Sequence, residues 1–234
     1  MWGFIANSWL AVLLTAVISY MLGSINWAII ITKLFTKQDI RSFGSGNAGA
    51  TNVLRSQGVL PAVLTTVGDL AKAAVSVMIG GWLLVHLNMN GVAAGGVFDV
   101  ENTKIVGQYL GGLFSIVGHM YPLYYGFRGG KGVMATLGMY FVLDWRVALL
   151  CLMLFLVIVA VGRMVSLGSV CASTYIPVLT FIFRCYVDEL SIGAVIFCTV
   201  LSALNAAIII FKHGSNMRRL AEGTERRIGE DKEK

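Results

Sequence analysis

Charge is scarce in this chain of 234 residues: Asp, Glu, Lys and Arg make up 13%, against 57% hydrophobic residues and a mean hydropathy of +0.78. A soluble globule of this size would leave much of that apolar surface in water, whereas roughly seven spans of about 20 residues would use it fully. A compact soluble enzyme and a disordered tail protein are therefore excluded. Cysteine is sparse as well. Cys151, Cys171, Cys185 and Cys198 show no C-x-x-C spacing, which excludes a secreted disulfide scaffold and makes them small buried hydrophobes. Metal-ligand spacings such as H-E-x-x-H are absent and the carboxylates are scattered, so neither a metal nor another cofactor is expected, and the chemistry should withstand a chelator. No internal repeat is visible, which counts against an inverted-repeat transporter. No basic stretch precedes the first apolar run, and Trp9 to Thr32 is too long for a signal-peptide core, so that run is expected to stay in the mature protein.

What is present is a succession of apolar runs at about 9–32, 60–87, 105–125, 132–143, 147–162, 164–183 and 190–211. This predicts an all-α, polytopic transmembrane bundle of about seven helices, the 132–143 run being short enough to be tilted or re-entrant. With the N-terminus outside, the inner loops collect Lys33, Lys37, Arg41, Arg55, Arg128, Lys131, Arg163 and seven basic residues of the C-terminal tail, and the outer loops only Lys104, Arg146 and Arg184. The positive-inside rule then gives an outside N-terminus and a cytoplasmic C-terminus. The net charge of +6 thus reports orientation in a membrane, and no nucleic-acid partner is implied. Asp99, Glu101, Asp144, Asp188 and Glu189 fall on the outer side. Residues 1–217 are expected to form one integral-membrane domain and 218–234 a polar cytoplasmic tail, of which 226–234 is a solvated end near anionic headgroups.

Two inner loops carry the chemistry. DIRSFGSGNAGATNVLRS, residues 39–56, gathers Gly44, Gly46 and Gly49 among Ser45, Asn47, Thr51 and Asn52, and closes with Arg55. Glycines expose amide hydrogens, and small polar side chains with an arginine add donors suited to an oxyanion. The string formally satisfies G-x-G-x-x-G, but no strand precedes it, so a dinucleotide fold fails on context. GHMYPLYYGFRGGKG, residues 118–132, sets Arg128 and Lys131 among Gly129, Gly130 and Gly132. It lacks the hydroxyl that a Walker A loop needs after its lysine, so it supports phosphate binding and not nucleotide hydrolysis.

Asp69 and Lys72 share one helix face inside an apolar run. Ionisable groups in hydrocarbon cost about 2.5 to 3.5 kcal/mol each on the lenient insertion scale unless paired or facing a wet cavity. They are expected to face inward, either as a structural ion pair or in contact with substrate. His213, Asn216 and Arg219 recur at i, i+3 and i+6, one side of a helical continuation of the last span. His119 can order the entry to the second loop, and His86 looks incidental. Arg163, Ser166 and Ser169 add a third polar patch on the same side. The donors so gathered describe an anion-binding cavity open to the cytoplasm beside an apolar wall suited to an acyl chain.

Taken together, GSI at 23–25, DIRSFGSGNAGATNVLR, GHMYPLYYGFRGGKGVMATLG, SLGS at 166–169 and the H-x-x-N near the C-terminus resemble the bacterial acyl-phosphate:glycerol-3-phosphate acyltransferase family over nearly the whole chain. The resemblance implies an enzyme of the bacterial plasma membrane, with its site facing the cytoplasm. It would move an acyl group from acyl phosphate to the 1-hydroxyl of glycerol 3-phosphate and make lysophosphatidic acid. Its partners would be those substrates, the bilayer and a soluble enzyme producing acyl phosphate. The family's first motif falls on Ser45, Asn47, Thr51, Asn52 and Arg55, its second on Arg128 to Gly132 with Lys131 as the key cation, and its third on His213 and Asn216. Asn26 stands where the family often has proline and is expected to affect packing only; Gly214 and Ser215 replace a commonly charged pair. The His-x4-Asp dyad of soluble-type acyltransferases is absent, because His86, His119 and His213 are followed four residues on by Asn90, Leu123 and Met217. The competing expectation is a small transporter of a phosphorylated solute; a structural membrane subunit would leave the glycine loops unexplained.

Overall fold

The computed structural model describes residues 8–87 and 100–229, the side chains of Val100 and Glu101 excepted, so the expectations for Asp99, Glu101, Asn90 and the last five residues lie outside the described residues. Within that range the chain is helical, with no strand among the described residues. Two compact units divide it, Met1–Asp144 and Trp145–Lys234.

The first unit contains α1 (Trp9–Gly23), α2 (Trp27–Thr36), a 3-10 turn at Ile40–Ser42, α3 (Ala50–Gln57), α4 (Val59–Leu87), α5 (Val100–Met120), a second 3-10 turn at Leu123–Tyr125, and α6 (Val133–Leu143). The apolar run from Trp9 to Thr32, read as one span, is two helices. Asn26 causes the break: its extended backbone precedes α2 and its side chain accepts from the Ile29 amide at 3.1 Å, a standard N-cap. The third run also ends sooner than expected, at Met120, where Tyr121 and Pro122 lead into the 3-10 turn.

Helix α4 lies at the centre of this unit, packing on α1, α2, α3, α5 and α6. Its polarity is inverted relative to a soluble helix. Thr65, Asp69, Lys72 and Ser76 are buried, while Val63, Val67, Val75, Met78 and Trp82 face outward. That arrangement is stable only where the surroundings are as apolar as the exposed side chains. Close packing comes from small residues: a Cβ placed on Gly80 would overlap the Gly107 carbonyl, and one on Gly107 the Gly80 carbonyl, so α4 and α5 meet backbone to backbone.

The second unit contains α7 (Trp145–Gly162), α8 (Val165–Tyr186), α9 (Ile192–Lys212) and α10 (Gly214–Ala221), with α8 packed against both α7 and α9. Arg146 and Arg184 both bind Asp188 at 2.8 Å, tying the start of α7 to the end of α8. The boundary expected after residue 217 falls inside α10. Cys151 and Cys198 are buried as expected, but Cys171 and Cys185 are only half-buried.

Among the described residues, five helical stretches are long and apolar enough to cross a membrane: Trp9–Thr36, which takes in α1 and α2, then Val59–Leu87, Trp145–Gly162, Val165–Tyr186 and Ile192–Lys212. Helix α6 is apolar but only 11 residues long. Helix α5 is long enough at 21 residues but carries Glu101 and Lys104 in its opening turns.

Candidate active site: two glycine loops above a buried ionic cluster

The first glycine loop is held from within by one side chain. Asn52, buried on α3, accepts from the Ser45 amide at 3.1 Å and donates to the carbonyls of Phe43 and Ile40 at 3.0 and 3.3 Å. Gly44 and Gly46 have φ of +54° and +70°, and a Cβ on Gly44 would run into the Asn52 amide oxygen. The loop therefore wraps a peg, and Asn52 shapes the site through its backbone.

Arg41 closes the first loop onto the second. Its guanidinium makes a two-pronged contact with Asp39 at 3.0 and 2.8 Å and donates to the carbonyls of Tyr125 and Arg128 at 2.7 and 3.4 Å. The hydrogen bond from Arg41 holds the Asp39 carboxyl below its usual range. Burial, with Asp39 nearby, pushes the Tyr125 phenol up. Asp39, Arg41, Gly46, Tyr125, Gly126, Arg128 and Gly129 line a cleft of about 680 Å³.

Gly46, Arg128 and Gly129 are thus brought together, whereas Ser45, Asn47, Gly49, Thr51, Arg55, Lys131 and Gly132 lie outside the lining. Arg55 is exposed at the last turn of α3 and Lys131 half-buried just before α6. Two features alter the expected picture. The amides of Gly46, Gly49, Gly129 and Gly130 donate to the carbonyls of Phe43, Asn47, Met120 and His119 at 2.9 to 3.2 Å, so these four glycines supply shape while their hydrogens are already bonded. And Asn26 does more than pack: besides capping α2, its amide reaches the Ala48 carbonyl at 3.5 Å.

Beneath the loops, Asp69 and Lys72 pair at 2.9 Å, and both meet the imidazole of His119, 3.3 Å from Asp69 and 3.0 Å from Lys72. Lys72 also donates to the Ile25 carbonyl at 2.7 Å. Substrate contact was one expectation for Asp69 and Lys72; they are buried in an ionic cluster outside the cleft lining. Arg41, Tyr125 and His119 were not foreseen as site residues. Arg41 stands inside the first motif and His119 opens the second, but each finds its partner about 50 to 85 residues away.

In the second unit the third motif folds on itself. Asn216, Ser166 and Arg219 all donate to the Glu225 carboxylate, at 2.7, 2.8 and 2.8 Å. Burial pushes Glu225 up, but these three hydrogen bonds outweigh it and leave the group below its usual value. Asn216 and Arg219 share a side as expected, while His213 Nδ1 turns back to the Ile209 carbonyl at 2.8 Å. Ser169 donates to Val165 within α8. The Ile228 amide donates to the Arg163 carbonyl at 2.7 Å, while Arg227, Ile228 and Gly229 stay exposed. Among the described residues no group of acidic, histidine or cysteine side chains is assembled to hold a metal ion.

A helical membrane architecture with two glycine loops around a basic cleft defines a class, the membrane-integral enzymes that handle phosphorylated substrates. The family model described as glycerol-3-phosphate acyltransferase matches residues 13–223, and the chain belongs to that family. A glycerol-3-phosphate acyltransferase of Clostridioides difficile is 34% identical over 94% of this chain and 97% of its own length. One of Jannaschia sp. is 36% identical over 92% of both. Crystal structures of PlsY (YgiH), an integral membrane glycerol 3-phosphate acyltransferase, are similar in its glycerol 3-phosphate form (TM-score 0.74, 33% identity, 93% of this chain and 96% of that one) and its lysophosphatidic acid form (0.72, 32%, 93% and 95%). The chain is accordingly an acyltransferase enzyme of the membrane, which retires the transporter and structural-subunit expectations.

Proposed function

We propose that this enzyme transfers a fatty acyl group from acyl phosphate to the 1-hydroxyl of glycerol 3-phosphate, releasing phosphate and leaving lysophosphatidic acid in the bilayer. The observation that carries this reading is the junction of the two glycine loops, through Arg41 and the Tyr125 and Arg128 carbonyls, around a cleft with Arg128 at its edge. Acyl phosphate is a mixed anhydride. The glycerol hydroxyl attacks the acyl carbon, the bond from that carbon to the phosphate oxygen breaks, and phosphate leaves with the electron pair. The hydroxyl proton passes to a phosphate oxygen. No covalent acyl-enzyme is needed, so positioning and charge stabilisation carry the rate.

In this scheme Lys131, Arg55 and Arg128 hold the phosphate groups by charge, with Ser45, Asn47 and Thr51 adding polar side chains, while Gly44, Gly46, Gly49, Gly129, Gly130 and Gly132 shape the two loops around the ligands. Lys131 precedes the N-terminus of α6, an end of a helix dipole that favours anions. Ser45 orients the glycerol hydroxyl and the acyl carbonyl. The topology that goes with this scheme has about seven membrane passages, α6 among them, an outside N-terminus and a cytoplasmic C-terminus, with the site open to the cytoplasm of a bacterial plasma membrane. A soluble enzyme would supply the acyl phosphate.

The test is direct. Purified protein in detergent receives radiolabelled glycerol 3-phosphate and either acyl phosphate or acyl-CoA. Labelled lysophosphatidic acid with acyl phosphate supports the scheme; product with acyl-CoA alone would refute the donor, and no product with either would refute the activity.

A further inference from the structure

We infer that Asp69, Lys72 and His119 form a buried hub fixing both glycine loops, with His119 as a positioning residue for the phosphate site; the inference rests on the acyltransferase reading above. None of the three lines the cleft, so any effect on substrate runs through the residues they hold.

Two routes lead outward from the hub. Lys72 donates to the Ile25 carbonyl at 2.7 Å, and the next residue, Asn26, donates to the Ala48 carbonyl in the first loop at 3.5 Å. On the other side, the His119 carbonyl accepts from the Gly130 amide at 3.1 Å. The two routes meet at Gly130. A Cβ there would overlap both His119 Nε2 and the Ala48 carbonyl, so Gly130 is wedged between the imidazole and the first loop. The ring's other nitrogen, Nδ1, lies between Lys72 at 3.0 Å and Asp69 at 3.3 Å, which fixes the plane in which Nε2 faces Gly130. An ion pair serving stability alone would require neither link. The geometry instead places Lys131, one residue beyond the wedge, under control of the hub.

The experiment uses the full chain in detergent, with thermal unfolding and monodispersity recorded for each variant. His119→Ala should raise KM for glycerol 3-phosphate roughly tenfold with a smaller change in kcat, and His119→Asn, which keeps a polar atom near the Nδ1 position, should restore part of it. Gly130→Ala should be severe alone but less than multiplicative with His119→Ala, because loss of the ring relieves one of the methyl's two overlaps and leaves that with the Ala48 carbonyl. The charge-free pair Asp69→Asn with Lys72→Met is expected to fold, since neutral replacement of a buried ion pair is tolerated, yet to share the raised KM. Wild-type KM in the folded charge-free pair, or independent effects of His119→Ala and Gly130→Ala, would overturn the hub. A wild-type chain that transfers no acyl group from either donor overturns the acyltransferase reading instead, and the same coupling is then measured in glycerol 3-phosphate binding by calorimetry.

Discussion

The side-chain oxygen of Asn52 accepts from the Ser45 amide at 3.1 Å while its nitrogen donates to the Phe43 carbonyl at 3.0 Å, so one buried amide satisfies the backbone on both sides of Gly44. A buried polar group satisfied this fully stabilises, and truncating it leaves its partners unmet at a cost of about 1 to 3 kcal/mol.

Asn52→Ala should therefore lower the unfolding temperature and reduce kcat/KM for glycerol 3-phosphate at least about tenfold. Asn52→Asp keeps the acceptor and loses the donor, and should fall between the two. Steady-state kinetics with thermal unfolding of the same samples decide it; an active loop without this side chain would mean that the glycines hold their conformation unaided.

Gly44→Ala and Gly214→Ala should diverge. At Gly44 a methyl group meets the Asn52 oxygen at φ +54°, so activity should drop sharply. Gly214 has open space around it and begins α10, so alanine should leave activity unchanged and stabilise by about 0.5 to 1 kcal/mol. Equal effects at the two positions would contradict the loop geometry.

Arg41→Lys removes the planar fork that grips Asp39 and the Tyr125 carbonyl together. A lysine can meet one of these partners at a time, so KM for glycerol 3-phosphate should rise several-fold even though charge is conserved. An unchanged KM would show that the two loops stay joined without the guanidinium.

Lys131→Ala should nearly abolish transfer, and Arg55→Ala should weaken it mainly through KM. Retention of most of the wild-type rate by Lys131→Ala would remove that lysine from the mechanism.

Glu225 predicts a pH dependence. Its folded value lies below the ordinary carboxylate value, so its contribution to docking of the tail is present above that ordinary value and is lost as pH falls through the lowered one. Hydrogen exchange at Ile228, whose amide bonds to the Arg163 carbonyl, should lose protection over that acidic window after correction for intrinsic rates. Glu225→Gln should abolish the dependence; an unaltered profile would place the titration elsewhere.

Much of this was legible in the sequence for identifiable reasons. Scarce charge and long apolar runs require helices in a membrane, because hydrocarbon satisfies no backbone group. Asp69 and Lys72, three residues apart inside an apolar run, announced an inward-facing couple, and the structure decided between ion pair and substrate contact. Gly44 and Gly46 were legible as loop glycines exposing amide hydrogens, and their left-handed backbone came with the structure. The break at Asn26 was less visible, since no charge interrupts the run from Trp9 to Thr32, and a cap is one side chain meeting one amide.

The amino-acid order by itself determined the helical membrane class, the two glycine motifs and the chemistry of their donors, because hydropathy and residue type act locally. Only the tertiary structure decided which donors were already taken. It bonded the amides of Gly129 and Gly130 to α5, brought His119 to Asp69 and Lys72, and set Arg41 across to Tyr125. Those pairings join residues far apart in the chain, and local spacing carries no record of a partner that only packing supplies.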